Sequence, residues 1–450
     1  MELREYQKRM VFRIEKEKNL ILSVGMGLGK TAAVLFAINN KKPVRVIIVG
    51  TKRIAETVWK QEAEAWGLTE ISDKMIIVSG TAKQKKSAIL NNSKPYKIIC
   101  RDSLQYLSFL ENVEGTWLIL DELTSFKNIY ASRCKNVCAV KAEKKIGLTG
   151  TFAANGMLDL FGQAAAVGLY SVTYRRIGKK EYSPEFTAWR GKYFVNANEG
   201  SGLAFPRYKL ITKMENVVNE IKNNVFTLDS KDYLQIPAVS FFKHSILLNN
   251  ETQKAYMQAS TMLSVNLQNE TISFDEGAKF MKLQTICNGF VYEKNGIPAR
   301  AGKSEKLEQV ADFCESIAAE NEKVLLFYAH REESIWLQEL LTERKISYCT
   351  VKDKNFIEKW NGGEVDVLLA NPASAGHGLN LQHGGHIIVW SSITYNFEFW
   401  AQANARLART GQKKPVQIHV FQCKDTVEEA QYRAVTKKEK DNNEFIQLTK

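Results

Sequence analysis

Short apolar runs, separated by polar helix-forming segments, recur along the chain and predict buried strands that alternate with helices. In the first part of the chain these runs lie at residues 19–24, 44–49, 75–78, 97–100 and 117–120. In the last part they lie at residues 324–328, 365–370, 386–389 and 416–421. Because strands that alternate with helices form parallel sheets, the pattern predicts two α/β domains.

The alternation becomes less regular between about residues 160 and 300 and resumes near residue 323. We therefore expect a first lobe at 1–160, a linker with a mainly helical insertion at 161–300, and a second lobe at 301–450. A basic, tyrosine-containing cluster at 170–182 predicts either a helical surface for a nucleic-acid backbone or an ordinary solvated face. The Lys- and Glu-rich tail after about residue 425 predicts a solvated helix.

Composition and charge narrow the protein classes. Hydrophobic residues make up 44% and charged residues 25%, as in ordinary globular proteins. We expect neither a membrane span, because no apolar run reaches about 18 residues, nor a secretory signal, because residues 1–5 are already charged. The seven cysteines form no C-x-x-C pair, which favours free thiols in a reducing cytoplasm over a zinc site. The net charge of +13 favours a polyanionic partner such as nucleic acid.

A glycine-rich turn at residues 23–31, Ser-Val-Gly-Met-Gly-Leu-Gly-Lys-Thr, joins the first predicted strand to a predicted helix. Its glycines let backbone N–H groups approach phosphate oxygens, and the helix N-terminus adds a partial positive charge. Lys30 is predicted to reach the β- and γ-phosphates of a nucleotide, and the Thr31 hydroxyl to bind Mg²⁺. Since Val24 stands where the strict phosphate-loop pattern has its first glycine, a turn without a ligand remains the alternative.

Two acids, Asp121 and Glu122, directly follow the buried strand at 117–120. Burying carboxylates without a partner is costly, and a phosphate-bound Mg²⁺ would supply that partner. Asp121 is predicted to hold the metal through its water shell, and Glu122 to orient and deprotonate an attacking water. The alternative is that both acids only cap the following helix.

Two arginines in the second lobe, Arg406 and Arg409, are three residues apart and share one face if this segment is helical. Two permanently charged guanidinium groups on one face favour a triphosphate, and an arginine at the γ-phosphate stabilises the charge that develops during transfer. Ordinary surface arginines are the alternative. Near the N-terminus, the Gln7 amide can pair with the donor and the acceptor of an adenine edge, and an ordinary solvated polar residue is the alternative.

Polar residues that directly follow predicted strands are candidates for ligand contact, because open parallel sheets bind ligands at these ends. Thr51 and Lys52 follow the second strand, and Arg101 follows the fourth. Arg101 is predicted to contact a nucleic-acid phosphate, with a surface ion pair as an equal alternative.

The order of these segments resembles that of the Swi/Snf-type branch of superfamily-two helicases, in a compact form similar to bacteriophage-encoded members. The matching segments are residues 3–7, 26–31, Trp59 with Glu62 and Trp66, Asp121-Glu122 with Lys127-Asn128, residues 148–151 with Asn155, Gln284 with 286–288, Gly376 with 378–381, and Gln402, Arg406 and Arg409 with Gly411-Gln412. The chain departs from the family's pattern where Thr124 replaces a His of the acidic box and where Phe152 replaces a Pro.

The resemblance implies two tandem RecA-like lobes that use ATP and Mg²⁺. Together with the residue patterns, it predicts the catalytic residues Lys30, Asp121, Glu122, Gln402, Arg406 and Arg409. The predicted ATP-binding residues are Arg4, Gln7, Gly25, Met26, Gly27, Leu28, Gly29, Lys30, Thr31 and Gly378, of which Thr31 joins Asp121 at Mg²⁺. The predicted nucleic-acid contacts are Thr51, Lys52, Arg101 and Asn155.

The activity that this resemblance implies is a DNA-dependent ATPase that translocates on double-stranded DNA in replication, recombination or repair. A strand-separating DNA or RNA helicase uses the same core and remains an alternative. A non-hydrolysing nucleic-acid-binding scaffold is disfavoured, because the phosphate-loop lysine, both acids and both arginines are present. We expect a monomer without membrane contact, in the cytoplasm of a bacterium or a phage-infected host, with targeting left to a protein partner.

Overall fold

A computed structural model describes residues 2–52, 55, 58–109, 114–152, 156–199, 206–266, 271–293, 295–375 and 379–450. The chain divides into two compact units. The first comprises Met1–Leu234 with Lys438–Lys450, and the second comprises Gln235–Lys437.

The elements of the first unit alternate between strands and helices in its first half. In chain order they are α1 (Glu5–Lys16), β1 (Asn19–Val24), α2 (Lys30–Lys41), β2 (Arg45–Gly50), α3 (Trp59–Ala65), α4 (Thr69–Lys74), β3 (Met75–Val78), α5 (Ala82–Leu90), β4 (Tyr96–Cys100), a 3-10 helix (Arg101–Phe109), β5 (Thr116–Asp121), a 3-10 helix (Leu123–Phe126), α6 (Ser132–Ala139), β6 (Lys144–Thr149), a 3-10 helix (Met157–Asp159), α7 (Leu160–Ala166), β7 (Arg175–Ile177), β8 (Lys180–Tyr182), α8 (Pro184–Tyr193), β9 (Phe194–Asn196), β10 (Tyr208–Leu210), α9 (Met214–Val218), a 3-10 helix (Lys222–Asn224), β11 (Val225–Leu228) and α10 (Ser230–Tyr233).

Within the described residues, seven parallel strands form the central sheet of the first unit, in the order β11-β1-β6-β5-β2-β4-β3. Its strands carry apolar side chains on both faces, because each face of the sheet packs in a separate hydrophobic core. In β5, Leu118 and Leu120 enter one core cluster, whereas Trp117 and Ile119 enter the other. This two-sided burial explains why the strands read as continuous apolar runs.

The second unit begins with a strand and continues through helices and short antiparallel ribbons. In chain order its elements are β12 (Val239–Ile246), α11 (Asn250–Met262), β13 (Ser264–Asn266), β14 (Thr271–Ser273), α12 (Glu276–Cys287), β15 (Phe290–Tyr292), β16 (Pro298–Arg300), α13 (Glu305–Ala319), β17 (Val324–Phe327), α14 (Arg331–Glu343), β18 (Tyr348–Thr350), α15 (Phe356–Gly362), β19 (Val367–Ala370), α16 (Pro372–Ala375), β20 (Ile387–Trp390), α17 (Phe397–Asn404), β21 (Val416–Cys423) and α18 (Val427–Thr449), the last of which continues into the first unit.

Six of the described strands form the parallel sheet of the second unit, in the order β12-β21-β20-β17-β19-β18. Together the two sheets confirm the predicted fold class of two parallel-sheet α/β lobes. Among the described helices, none is both long and apolar enough to cross a membrane.

The compact units differ from the predicted domain boundaries at 160 and 300. Strand β11 pairs with β1 in register, Ile21 opposite Val225, and so extends the first sheet well past residue 160. Strand β12 pairs with β21, Val239 opposite Val416, and so starts the second unit before residue 300. Both strands lie in the segment that was predicted as an insertion. Local pattern did not identify them, because their pairing partners lie far along the chain. The basic cluster there forms the exposed β7–β8 hairpin instead of a helix.

The C-terminal helix is less solvated than its charged sequence predicts. Phe445 is fully buried in the core of the first unit, where its ring lies 4.9 Å from that of Phe152. One turn later, the Thr449 hydroxyl lies 2.7 Å from the Thr227 hydroxyl of β11. Residues from Lys438 onward therefore belong to the first unit and not to the second, as the predicted lobe at 301–450 had it.

Candidate nucleotide site

The glycine-rich loop at 25–29 lies between the end of β1 and the first residue of α2. Gly29 has a φ of 77°, and a Cβ there would lie 2.3 Å from the Gln7 side-chain nitrogen. A Cβ at Gly25 would lie 2.1 Å from the Ser230 hydroxyl oxygen. Both positions therefore require glycine, which leaves the loop backbone able to approach a ligand closely.

The two non-glycine residues of the loop, Met26 and Leu28, have structural contacts. The Ser230 hydroxyl donates to the Met26 carbonyl oxygen at 2.8 Å, and this holds the loop against the start of α10. Leu28 is fully buried in the core, while its carbonyl oxygen accepts from the Gln7 amide at 3.4 Å. Gly27 has a φ of 79°, so the loop bends in the left-handed region twice within three residues.

Lys30, the first residue of α2, folds its ammonium back over the loop. It donates to the Val24 carbonyl oxygen at 2.7 Å and to the Gly25 carbonyl oxygen at 3.3 Å. Burial lowers the pKa of Lys30, while the carboxylates of Glu122 and Asp121 oppose this shift. The three charged groups therefore interact with one another. A phosphate would offer the same ammonium a charged and stronger acceptor than two carbonyls.

The acidic pair lies at the end of β5. Asp121 is its last residue, and its two carboxylate oxygens accept from the Trp59 indole N–H and from the Glu122 backbone N–H, each at 3.1 Å. Burial raises the pKa of Asp121, while Lys30 and these two hydrogen bonds lower it. Glu122 adopts a φ of 56°, a left-handed conformation that costs a residue with a Cβ about 1–3 kcal/mol. Such strain is typical of residues whose position serves a function.

Trp59 is a site residue that the residue pattern alone did not identify. Trp59 is fully buried and donates its indole N–H to Asp121. Trp66 donates in the same way to Glu62, at 3.2 Å. In the sequence, the only indication for Trp59 was its spacing from Glu62 and Trp66, which matches the family's pattern.

Gln7 is well placed beside the phosphate loop. It is 6% exposed, and its side-chain oxygen accepts from the Arg4 backbone N–H at 2.8 Å. The neighbouring Tyr6 ring lies 4.9 Å from that of Tyr233, which is 37% exposed. Arg4 itself is exposed. Gln7 therefore lies beside the loop, and the Tyr233 ring of α10 adds a partly exposed aromatic surface that sequence reasoning missed.

The two predicted arginines of the second unit converge on one carbonyl. Helix α17 ends at Asn404, so they lie in a turn and not on the helical face that the sequence predicted. Arg406 and Arg409 nevertheless each donate a guanidinium N–H to the Leu379 carbonyl oxygen, at 3.2 Å. Burial lowers the pKa of Arg409. Two cations held at one acceptor form a favourable place for an anion.

Two further site residues were predicted in the second unit, Gln402 and Gly378, and the structure describes only Gln402. Gln402 is 2% exposed, and its amide donates to the Glu398 carboxylate at 3.3 Å. Its carbonyl oxygen is buried, with no hydrogen-bond partner among the described residues. Gly378 lies outside the described residues, directly before Leu379.

The predicted nucleic-acid contacts are only partly grouped. Thr51 and Lys52 follow β2; Thr51 is 9% exposed, whereas Lys52 is exposed. Arg101 follows β4 and donates to the Ser125 hydroxyl, a neutral acceptor, at 2.5 Å. Ser125 belongs to the 3-10 helix that follows the acidic pair. Asn155 lies outside the described residues.

The chain is similar in sequence to a known domain family and to several known proteins. Residues 6–289 match the model of the SNF2-related domain. "Putative protein p41" of Acyrthosiphon pisum secondary endosymbiont phage 1 is 27% identical over 457 residues, covering 95% of this chain and 94% of that protein. The human DNA repair and recombination protein RAD54B is 22% identical over 496 residues, covering 99% of this chain and 54% of that protein.

A further cellular relative and a solved structure also match this chain. A SWI/SNF-related matrix-associated actin-dependent regulator of chromatin subfamily A-like protein 1 from Xenopus tropicalis is 23% identical over 436 residues, covering 93% of this chain but 42% of that protein. The solved Sulfolobus solfataricus SWI2/SNF2 ATPase core in complex with dsDNA has a TM-score of 0.44 at 16% identity, covering 100% of this chain and 95% of that one. The chain therefore spans nearly all of a phage relative but about half or less of these two cellular relatives. The matched domain covers more than half of the sequence, and the chain belongs to the SNF2-related domain family.

Proposed function

We propose that this chain, an ATP hydrolase of the SNF2-related family, couples ATP hydrolysis to movement along double-stranded DNA. The observation that carries the proposal is the grouping of Lys30 with the acidic pair at the ends of β1 and β5. A lysine on a glycine loop beside two acids at a strand end is the arrangement that phosphoryl transfer to water requires.

Each residue of this grouping has a distinct role in the proposal. The loop backbone and Lys30 hold the β- and γ-phosphates, and Gln7 reads the adenine edge. The Glu122 carboxylate orients the attacking water and accepts its proton. From the second unit, Arg406, Arg409 and Gln402 stabilise the charge that develops on the γ-phosphate during transfer.

The donor set of the first unit fits Mg²⁺. A carboxylate from Asp121 and a hydroxyl from Thr31 are hard oxygen ligands, and Mg²⁺ in nucleotide sites uses few protein ligands beside phosphates and water. The raised pKa of the buried Asp121 carboxyl agrees with this assignment, because a nearby cation would stabilise its charged form. A bound Mg²⁺ would neutralise phosphate charge during the transfer.

Support for DNA as the track comes from charge and from relatives. The net charge of +13 suits a phosphate backbone, and RAD54B is named for DNA repair and recombination. The proposed contacts remain Thr51, Lys52, Arg101 and Asn155. Because a phage protein matches over nearly its whole length, we expect the chain to act in the cytoplasm of a bacterium or a phage-infected bacterium, with a protein partner for targeting.

The test is the steady-state ATPase rate without nucleic acid and with single-stranded DNA, duplex DNA or RNA, beside Glu122→Gln as the control. We expect strong stimulation by duplex DNA that the Glu122→Gln variant loses. Displacement of a third strand from a DNA triplex, without separation of the duplex, would then support translocation. Stimulation by single strands alone, or separation of a labelled duplex, would instead support a strand-separating helicase. Turnover that persists in the Glu122→Gln variant would contradict the assigned site.

A further inference from the structure

The β7–β8 hairpin of the first unit carries four exposed basic side chains that have no part in the nucleotide site. They are Arg175, Arg176, Lys179 and Lys180. None of these four side chains has an ion-pair or hydrogen-bond partner among the described residues. Solvated charge alone does not define a binding surface, but this hairpin differs from an ordinary basic loop in how it is held and where it lies.

Helix α8 fixes both ends of the hairpin. The Glu185 carboxylate accepts from the Thr173 hydroxyl, before β7, at 2.7 Å and from the Ser183 hydroxyl, after β8, at 2.9 Å. Glu181 of β8 forms an ion pair with Lys135 of α6. Both acids therefore hold the base of the hairpin, and the basic side chains toward its tip remain available to a partner.

One face of the hairpin combines two cations with an aliphatic side chain. Arg175 lies opposite Tyr182, and Ile177 lies opposite Lys180, so all four side chains point to the same side of the ribbon. Arg175 and Lys180 are diagonal neighbours on this face, within about 7–8 Å of each other. Ile177, which is 70% exposed, lies beside both. Such a face fits a nucleic-acid strand, in which charged phosphates alternate with less polar sugars.

The segment that follows the acidic pair connects the hairpin to a predicted nucleic-acid contact. The Tyr174 hydroxyl, at the start of the hairpin, donates to the Ile129 carbonyl oxygen at 2.8 Å. Four positions before Ile129, the Ser125 hydroxyl accepts from Arg101. The hairpin and Arg101 are therefore held by one short segment after β5, at the edge where open parallel sheets bind their ligands.

We propose that the β7–β8 hairpin binds the phosphate backbone of double-stranded DNA, through Arg175 and Lys180 on one face and Lys179 at the turn. The occupant is a polyanion, because residues 175–180 carry four cations and no acid. The surface lies outside the segments that carry the family resemblance, and it rests on the proposed function only for the choice of duplex DNA as the partner. Backbone contacts of this kind add affinity without reading sequence.

The test is the affinity of the full chain for a short fluorescein-labelled duplex, measured by fluorescence anisotropy without nucleotide at several KCl concentrations. Each lost phosphate contact lowers the slope of the logarithm of the binding constant against the logarithm of salt concentration by about 0.9. Arg175→Ala combined with Lys180→Ala should therefore lower this slope by about 1.8 and raise Kd roughly 60-fold at about 0.1 M salt. ATP turnover without DNA should stay unchanged.

Two control variants separate the hairpin contact from net charge and from folding. Lys16→Ala combined with Lys18→Ala removes the same charge from exposed positions before β1, at the opposite edge of the sheet, and should leave the salt slope unchanged. Arg175→Lys combined with Lys180→Arg keeps both charges and should keep the wild-type slope. Retained binding in this second variant shows that the alanine variant loses charge and not the hairpin fold.

The proposal is overturned if the hairpin and control alanine variants lose duplex affinity equally, or if the wild-type affinity does not depend on salt. It is also overturned if the loss appears only with single-stranded DNA or RNA. Failure of the proposed function gives a different result: duplex DNA would bind through the hairpin, with the expected change in slope, but would not stimulate ATP turnover.

Discussion

The bond between Trp59 and Asp121 gives the sharpest test of how the acidic pair is positioned. Trp59 is fully buried, and its indole nitrogen lies 3.1 Å from an Asp121 carboxylate oxygen. Trp59→Phe keeps an aromatic ring in the core but removes the N–H donor. A hydrogen bond to a charged group contributes about 1.5–3 kcal/mol, so its loss leaves the carboxylate poorly oriented and its pKa higher.

The expected effect follows from this magnitude. Loss of about 1.5–3 kcal/mol from the orientation of the carboxylate proposed to face Mg²⁺ corresponds to a roughly 10- to 150-fold loss in kcat/KM for ATP, similar to removal of other outer-shell partners. The assay is steady-state ATP turnover at saturating duplex DNA, measured over a range of Mg²⁺ concentrations. We expect Trp59→Phe to need more Mg²⁺ for half-maximal turnover.

The same chain offers a matched control for this substitution. Trp66→Phe removes an indole N–H that donates to the Glu62 carboxylate at 3.2 Å, whereas the indole N–H that Asp121 accepts belongs to Trp59. It should leave turnover nearly unchanged. Wild-type turnover in Trp59→Phe, or an equal loss in Trp66→Phe, would refute the idea that the Trp59 N–H positions Asp121.

Three further predictions concern other parts of the chain. Arg409→Ala should keep ATP binding but reduce turnover by about 10³-fold or more, because it removes a charge at the developing transition state; unchanged turnover would exclude this role. Phe445→Ala should destabilise the first unit by about 3–5 kcal/mol in denaturant unfolding through the cavity beside Phe152, whereas Phe12→Ala, at a 62% exposed site, should have little effect. Burial and His244 lower the pKa of His419 from 6.5 to about 4, so the unfolded state binds a proton in that pH window and the folded state does not. The free energy of unfolding should therefore fall by roughly 2–3 kcal/mol from pH 7 to pH 4, and His419→Gln should flatten this dependence.

Much of the two sheets could be predicted from local pattern. The run at 19–24 coincides with β1, and those at 324–328 and 386–389 coincide with β17 and β20 to within a residue at each end. These strands are buried on both faces, so each is a continuous apolar run that needs no knowledge of its neighbours. Local pattern is sufficient where burial alone determines the residue types.

The strands at the sheet edges were harder to assign. The residues of β12 are mostly exposed, with Phe241 and Phe242 each at 44%, so burial leaves little pattern there. Strand β11 is a four-residue run whose partner, β1, lies about 200 positions earlier. Pairing at this separation depends on backbone hydrogen bonds, which nearly any residue can make. The local composition therefore does not indicate which strand is the partner.

At the candidate site, the sequence identified the chemical groups but not the contacts that orient them. Lys30 and the acidic pair were predicted from the residue types that follow buried strands. Charged side chains at such strand ends are costly to bury unless a charged partner is present. The Trp59 indole N–H, the Ser230 hydroxyl on the phosphate loop and the exposed Tyr233 ring come from distant segments. Tryptophan, serine and tyrosine occur widely for other reasons, so their identity alone does not mark a site.

Packing against the C-terminal helix explains why Phe152 stands where the family's pattern has a proline. The family's pattern has a proline after Thr151, and a small rigid ring there would leave the Phe445 side chain without its 4.9 Å aromatic contact. In this chain the larger Phe152 and the returning helix fill the same part of the core, and Gln163 holds the Phe152 carbonyl at 2.8 Å. Because Phe152 directly follows Thr151, the C-terminal helix packs beside the segment that the family resemblance assigns to the third motif. The departure from the family's pattern is therefore one half of a packed pair, and Phe152→Pro should lower the free energy of unfolding of the first unit more in the wild-type chain than in a Phe445→Ala background, measured by denaturant unfolding.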